Sequence, residues 1–175
     1  MSFNDEVVDI VDKQDNVIGT IFRKDEREGE HILRSASVFL VNEKDEILLQ
    51  LRSQSSKKYP LHWDLSGGGH VNSNEKYEDC ARRELFEEIG IKVENITLLG
   101  KHHFTLDNGR KRINCSYISK INEKCTSINS NEVDKIKWFS IKKIRMMINN
   151  KNKFHPECEF LLKKYFLNVS ISDNK

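Results

Sequence analysis

Proline is scarce in this chain, at two residues in 175, and glycine is modest at eight. That excludes collagen-like and Pro/Gly-rich low-complexity chains and leaves no stretch with the make-up of an interdomain linker. Cys80, Cys115, Cys125 and Cys158 are widely spaced and contain no C-x-x-C pair, so they read as free thiols of a reducing compartment. No apolar run approaches the ~20 residues of a membrane span. The opening MSFNDEVVDI has neither the basic start nor the apolar centre of a secretion signal. A net charge of +2 is too small to draw nucleic acid or a membrane surface by bulk electrostatics. What remains is about one domain's length of chain. The expectation is a single cytoplasmic domain over residues 1–175 with a small-molecule partner; a homodimer is compatible with the sequence, which does not fix the oligomeric state.

Strand and helix patterns alternate. EVVDIVDKQDNVIGTIFRKD reads as a strand pair within residues 1–30, around a polar turn at Gln14 to Asn16. Ser37 to Val41 and Ile47 to Leu51 form a second pair around Asn42 to Asp45. SQSSKKYPLHWDLSGGG is loop-like, and a helix is expected from about Asn74 to Ile89, ended by Gly90. NITLLGKHHFTL and RINCSYISKI read as strands joined by the DNG turn, and KIKWFS as a short strand. SIKKIRMMINN and PECEFLLKKYFLN have helical periodicity, and residues 170–175 read as a frayed tail.

Chemistry concentrates in GHVNSNEKYEDCARRELFEEIG, residues 69–90, which holds five glutamates and one aspartate. On a helix, Glu88 lies about 40° to one side of Glu84 and Glu87 about 60° to the other. Tyr77, Cys80 and Ala81 share that sector and Leu85 and Ile89 border it, so the acidic group sits where the helix turns toward the protein. Arg82 and Phe86 point away, and Arg83 is placed to pair with Glu87 or to reach back to Glu75. Inward-facing carboxylates need a cation, and a set with no histidine or cysteine suits a hard ion that takes oxygen ligands, Mg²⁺ first and Mn²⁺ second. A solvated glutamate-rich face is the competing reading of RRELFEEIG alone.

The whole spacing resembles the Nudix box, G-x5-E-x7-R-E-U-x-E-E-x-G-U with U a bulky aliphatic residue; residues 69–91 match all nine specified positions. The resemblance implies an α/β/α sandwich with a mixed sheet in which the box forms a loop-helix-loop, and a hydrolase of diphosphates linked to another moiety. It implies Glu87 and Glu88 as metal ligands, Glu84 as a ligand or the general base, and the Gly68 carbonyl completing the site. Arg83 and Glu75 would form the structural ion pair of the motif, with Gly69 and Gly90 as backbone positions. Some relatives add a carboxylate beyond the box, for which Glu132 is the candidate beside its reading as a surface glutamate.

VVDIVDKQDNVIGT, SVFLVNEKDEILLQLRS and KKYPLHWDLSGGGHV resemble one branch, the Nudix hydrolases related to isopentenyl-diphosphate isomerase. The isomerases carry a catalytic cysteine in a C-[GS]-H-P setting. Here Gly68 stands at the thiol position, Val71 replaces the proline and His70 is kept, while Leu33 occupies the place of a second metal-binding histidine, with His31 two residues away. Without that acid, double-bond isomerisation gives way to diphosphate hydrolysis by water attack on phosphorus; a non-catalytic binding module is the third reading, disfavoured by the intact acidic set. Arg52 is expected to bind phosphate, and His70 to orient a phosphate, ligate a metal or do neither. Lys57, Lys58 and the RKR at 110–112 read as solvated charges. Only one of His102 and His103 can face a pocket, and Trp63, Trp138, Tyr59, Phe104 and Tyr117 read as packing residues before stacking ones.

Overall fold

In a computed structural model of the chain, residues 6–121 and 128–167 are described. Cys125 and the expected frayed tail lie outside them.

The first hairpin is β1 (Val7–Val11) against β2 (Val17–Phe22). The Asp12 carboxylate holds its turn, accepting from the backbone N–H groups of Gln14 and Asn16 at 2.8 and 2.9 Å. A single 3₁₀ turn, Arg23–Asp25, follows. The organising strand is β3 (Ile32–Val41), which starts five residues before the expected Ser37. It runs antiparallel to β4 (Ile47–Arg52) and to β6 (Gly67–His70). Along its whole length it is parallel to β8 (Lys111–Lys120). β7 (Thr97–Thr105) pairs β8, and β9 (Val133–Phe139) and the short β5 (Trp63–Asp64) pair β4. The sheet is therefore mixed.

β3 is buried on both faces, which explains the unbroken apolar run Val38 to Val41 in its second half. Alternate side chains serve opposite layers. Val38 and Leu40 join Leu85, Ile89 and Ala81 of α1 (Tyr77–Ile89) in one core. Phe39 joins Ile144 of α2 (Ile141–Asn149) and Leu161 and Leu162 of α3 (Pro156–Tyr165) in a second core. The expected α/β/α layering follows from this period of two.

Two expectations need correction. Helix α1 starts at Tyr77, three residues after Asn74, because Asn74 takes φ of +65° and breaks the helical path. The triple glycine is a strand, β6, where a loop was expected. Its missing side chains let α1 lie close: a Cβ on Gly67 would sit 2.9 Å from the Leu85 Cα, and one on Gly69 would overlap the Glu84 carboxylate. Glycine is a turn signal in sequence, but here it is selected for the approach of a helix to a sheet. Gly90 ends the helix as expected, at φ +70° with its N–H on the Phe86 carbonyl.

Candidate active site

Strand β6 and helix α1 together fix the acidic group. Glu88 is 6 % exposed; its carboxylate accepts from Gln50 Nε2 at 3.0 Å and from the Gly68 N–H at 3.1 Å. Glu84 is largely buried and accepts from Arg83 Nη1 at 2.8 Å. Glu87 stands outward at the rim, half exposed, and is held by Arg83 at 3.1 Å. The box therefore buries two carboxylates, not three: helical spacing gives their angular separation, and the close seat of α1 on β6 decides which of them turn in. Arg83 is the hub. It donates from Nε and Nη2 to Glu75 at 2.8 and 2.9 Å, and from Nη2 to the His70 carbonyl at 3.0 Å. Glu75 in turn accepts from the Asn72 N–H at 2.9 Å. This ties the loop before α1 to the helix, the structural duty expected of Glu75 and Arg83.

Burial pushes the Glu88 carboxyl well above the usual carboxylate range, and the nearby charges of Glu84 and Glu132 push it further. Glu84 is pushed up to about 7, chiefly by burial, against the pull of Arg83. Burial also raises Glu75, but its hydrogen bonds from Arg83 and Asn72 hold it below the usual range. Glu132 sits near enough for its charge to act on Glu88; it accepts from Asn129 Nδ2 at 2.8 Å and is itself raised by burial.

The donors suit a hard divalent ion. Two carboxylates stand buried in each other's field, and beside Glu88 the Gln50 Oε1 is buried with no hydrogen-bond partner among the described residues. Among the described residues, no three His, Cys, Asp or Glu side chains are drawn together closely enough to cage an ion as they stand. Glu84 must give up part of its contact with Arg83 to take a share. We expect Gly69→Ala to displace the Glu84 carboxylate and lower activity by at least ~10-fold with the fold retained, checked by steady-state rates and circular dichroism.

Next to this pair opens a cavity of about 250 Å³ walled by Gln50, Gly68, Gly69 and His70 on the β6 side. Arg23, Arg52, Lys58, Arg110 and Arg112 bring five cationic side chains to it. Buried polar atoms with no hydrogen-bond partner among the described residues gather here too: His70 Nε2, Arg110 Nε and His155 Nδ1 all belong to lining residues. Burial, then the charges of Arg23 and Arg112, hold the His70 imidazole far below its ordinary value, so it is neutral.

Arg52 is in this wall as expected, braced by Asp64 at 3.0 Å, and so are His70 and Gly68. The solvated reading of RKR is overturned for Arg110 and Arg112, while Lys111 is exposed as expected. Arg112 is 4 % exposed and grips the buried Glu26 with both terminal nitrogens at 2.5 and 2.9 Å, and Arg110 approaches Glu26 at 3.3 Å. Lys58 also lines the cavity, while Lys57 is exposed and does not. Arg112 lies on β8 and Arg110 immediately before it, and the alternation that leaves Lys111 exposed turns Arg112 inward. Other candidates fall elsewhere. His31 borders a shallow depression with Asp25 and Glu30, and Leu33 is fully buried in apolar core. His102 pairs with the Tyr165 hydroxyl at 2.5 Å and packs against Phe104 and Phe160, and neither it nor His103 lines the cavity. Trp63 packs edge-on against Phe139, Trp138 and Tyr117 pack in the core on the α1 side, and Tyr59 is a cavity residue that stacks edge-on with His155.

The NUDIX domain family profile matches residues 31–158, most of the chain and all of the box. The chain belongs to the Nudix family. An uncharacterized Nudix hydrolase of Pseudomonas aeruginosa is 32 % identical over 133 residues, 76 % of this chain and 78 % of that protein. Isopentenyl-diphosphate Delta-isomerase 2 of Photorhabdus laumondii is 31 % identical over 153 residues, 83 % and 84 % of the two chains. A prenyl-diphosphate phosphatase of Methanosarcina mazei is 40 % identical over 83 residues, 47 % and 48 %. In crystal, a Deinococcus radiodurans protein superposes with a TM-score of 0.81 at 25 % identity, covering 92 % of this chain and 99 % of that one. These similarities establish this Nudix protein as an enzyme of the hydrolase kind, related to the isomerases. The isomerase reading meets two obstacles in the structure. Position 68 has no thiol, and a Cβ there would stand 3.0 Å from the Ala36 carbonyl oxygen; position 33 is core.

Proposed function

We propose that the protein is a metal-dependent pyrophosphohydrolase, one Nudix domain that cleaves a nucleoside diphosphate linked to another moiety, or a similar small diphosphate, by attack of water on phosphorus. The observation that carries this reading is the meeting of opposite charges at one place: five cationic side chains line the cavity, and the box glutamates Glu88 and Glu84 stand against its Gly68 and Gly69 wall. A diphosphate repels an incoming nucleophile until its oxygens are neutralised. Arg52, Lys58, Arg110 and Arg112 supply that neutralisation and hold the phosphates in place. Glu84, Glu87, Glu88 and the Gly68 carbonyl would hold Mg²⁺, or Mn²⁺ in its stead. When bound, the ion polarises phosphoryl oxygens and acidifies water. A carboxylate then removes the proton of the attacking water, and Glu84 and Glu132 are the candidates, both raised toward neutrality by burial. Cys80, Cys115 and Cys158 are buried free thiols, which supports a cytoplasmic setting, and no helix among the described residues is long and apolar enough to cross a membrane.

The Methanosarcina mazei relative, named for prenyl diphosphates, favours including isoprenoid diphosphates among the substrates to be tried. The test is a panel of nucleotide sugars, dinucleotides, nucleoside di- and triphosphates and isoprenoid diphosphates with Mg²⁺, the products identified by mass. Cleavage is expected between phosphorus atoms and is expected to stop when EDTA removes the metal. Activity that survives the chelator unchanged, or double-bond migration with no phosphate released, refutes the proposal.

A further inference from the structure

The cavity also holds carboxyl groups that phosphate binding does not use. Asp64 and Glu157 line it together with His155. Glu157 lies in the first turn of α3, where a glutamate ordinarily stays in solvent and benefits from the helix dipole. Glu159 behaves that way, partly exposed and paired with Lys163 at 2.6 Å. Glu157 instead is 9 % exposed, and no described residue donates a hydrogen bond to its carboxyl. Burial, then the charge of Asp64, pushes it up to about 7. Its position is enforced by the backbone: the Trp63 N–H bonds the Lys153 carbonyl at 2.9 Å and the His155 N–H bonds the Trp63 carbonyl at 2.8 Å. These bonds seat the start of α3 on β5. His155, two residues earlier, brings its own unpartnered buried Nδ1, 4.0 Å from Asp64.

A largely buried carboxyl that no described residue donates to, on the wall of a cavity, makes sense where a ligand supplies the donor. That ligand group is not a phosphate, which a carboxyl repels. We infer that Glu157 accepts a hydrogen bond from a hydroxyl or amino group on the organic half of the substrate, selecting nucleoside- or sugar-bearing diphosphates over hydrocarbon ones. The inference rests on the cavity being the substrate site and names the chemistry read at its α3 wall. A hydrocarbon chain in the same place would leave the Glu157 carboxyl and His155 Nδ1 buried and unpaired. That is the situation in which polar sites reject an analogue most strongly.

The experiment measures binding apart from turnover. Calorimetry with Mg²⁺ compares the methylene-bridged analogues of uridine diphosphate and of isopentenyl diphosphate, in which CH₂ replaces the bridging oxygen. Wild type is expected to bind the uridine compound at least ~10-fold more tightly. Glu157→Leu should bring the ratio to within ~2-fold, while Glu157→Gln, which keeps an acceptor, should retain most of it. The melting temperature of Glu157→Leu should be unchanged or higher, since no described residue donates a hydrogen bond to the carboxyl; a marked fall would assign it a structural role instead. An unchanged ratio in Glu157→Leu, a wild-type preference for the isopentenyl compound, or no binding of either overturns the inference. Hydrolysis of the natural oxygen-bridged diphosphates is followed in parallel. Cleavage with unaltered selectivity sinks only the role of Glu157, and selective binding with no cleavage of any diphosphate sinks only the hydrolase reading.

Discussion

Glu88→Gln should lose at least ~100-fold in hydrolysis rate, the scale for removing a group that acts in the transition state, and at the same time yield a more stable metal-free protein. The two effects share one cause. Glu88 is buried beside Glu84, and its carboxyl is raised well above the ordinary range. A carboxyl raised on folding contributes stability that is fully present below its unfolded value, ~4.5, and is lost as pH climbs through the folded one. Glu84, raised to about 7, adds to the same trend. Metal-free wild type should therefore lose melting temperature between about pH 5 and pH 8 on this account. Glu88→Gln keeps the side chain's shape and removes the charge, so it should melt at least ~2 °C higher at pH 8. Mg²⁺ reverses the order. A ligand at 100 times its Kd stabilises by about 2.7 kcal/mol, which the variant should forgo in large part. A rate near that of wild type, or an equal Mg²⁺ shift in both proteins, would show that the metal centre has been misassigned.

The second large effect is expected at Arg112. Its guanidinium and the Glu26 carboxylate form a two-pronged pair in which both side chains are nearly inaccessible, at 4 % and 1 %. Replacing Arg112 by leucine leaves Glu26 buried with Arg110 alone, and breaking a buried pair costs about 3–5 kcal/mol. For a chain of this size that is a fall of ~6–20 °C in melting temperature. Arg112→Leu with Glu26→Leu should recover much of the stability, because an apolar pair of similar volume replaces the charges. It should not recover substrate affinity, since the cavity has lost a cation. Melting curves and KM values for the single and double variants separate the two contributions. A double variant no more stable than Arg112→Leu alone would mean that the cost lies in packing and not in the unpaired charge.

The parts of this site that could be read in advance share one property, which is nearness along the chain. Glu75, Arg83, Glu84 and Glu88 fall within one short motif, and helical geometry alone relates the last three. The placing of Glu87 went astray because a helix's own spacing says nothing about how it docks. That was settled by Gly67 and Gly69, whose missing side chains seat α1 against β6. The glycines were in turn read as a loop, since in a single sequence the residue that permits a turn and the residue that permits close packing are the same. RKR failed for a related reason. Three adjacent charges near a turn are solvated in most settings, as Lys111 is, and only the parallel pairing of β8 with β3 seats Arg112 on the cavity side, with Arg110 just before the strand beside Glu26.

The sequence by itself determined the family and the grouping of Glu84, Glu87 and Glu88 on one sector of α1, because both are written in local spacing: fixed intervals through the box and three to four residues along the helix. Only the tertiary structure decided what faces those acids. Glu26 meets Arg112 across 86 residues of chain, and Glu157 arrives from a helix whose own pattern shows only an ordinary acidic first turn. A charged side chain in sequence is free to point to solvent. Sheet register and helix seating remove that freedom, and what they bring together here is a cavity lined by cations, with the box acids against its Gly68 and Gly69 wall and the Glu157 carboxyl at the start of α3.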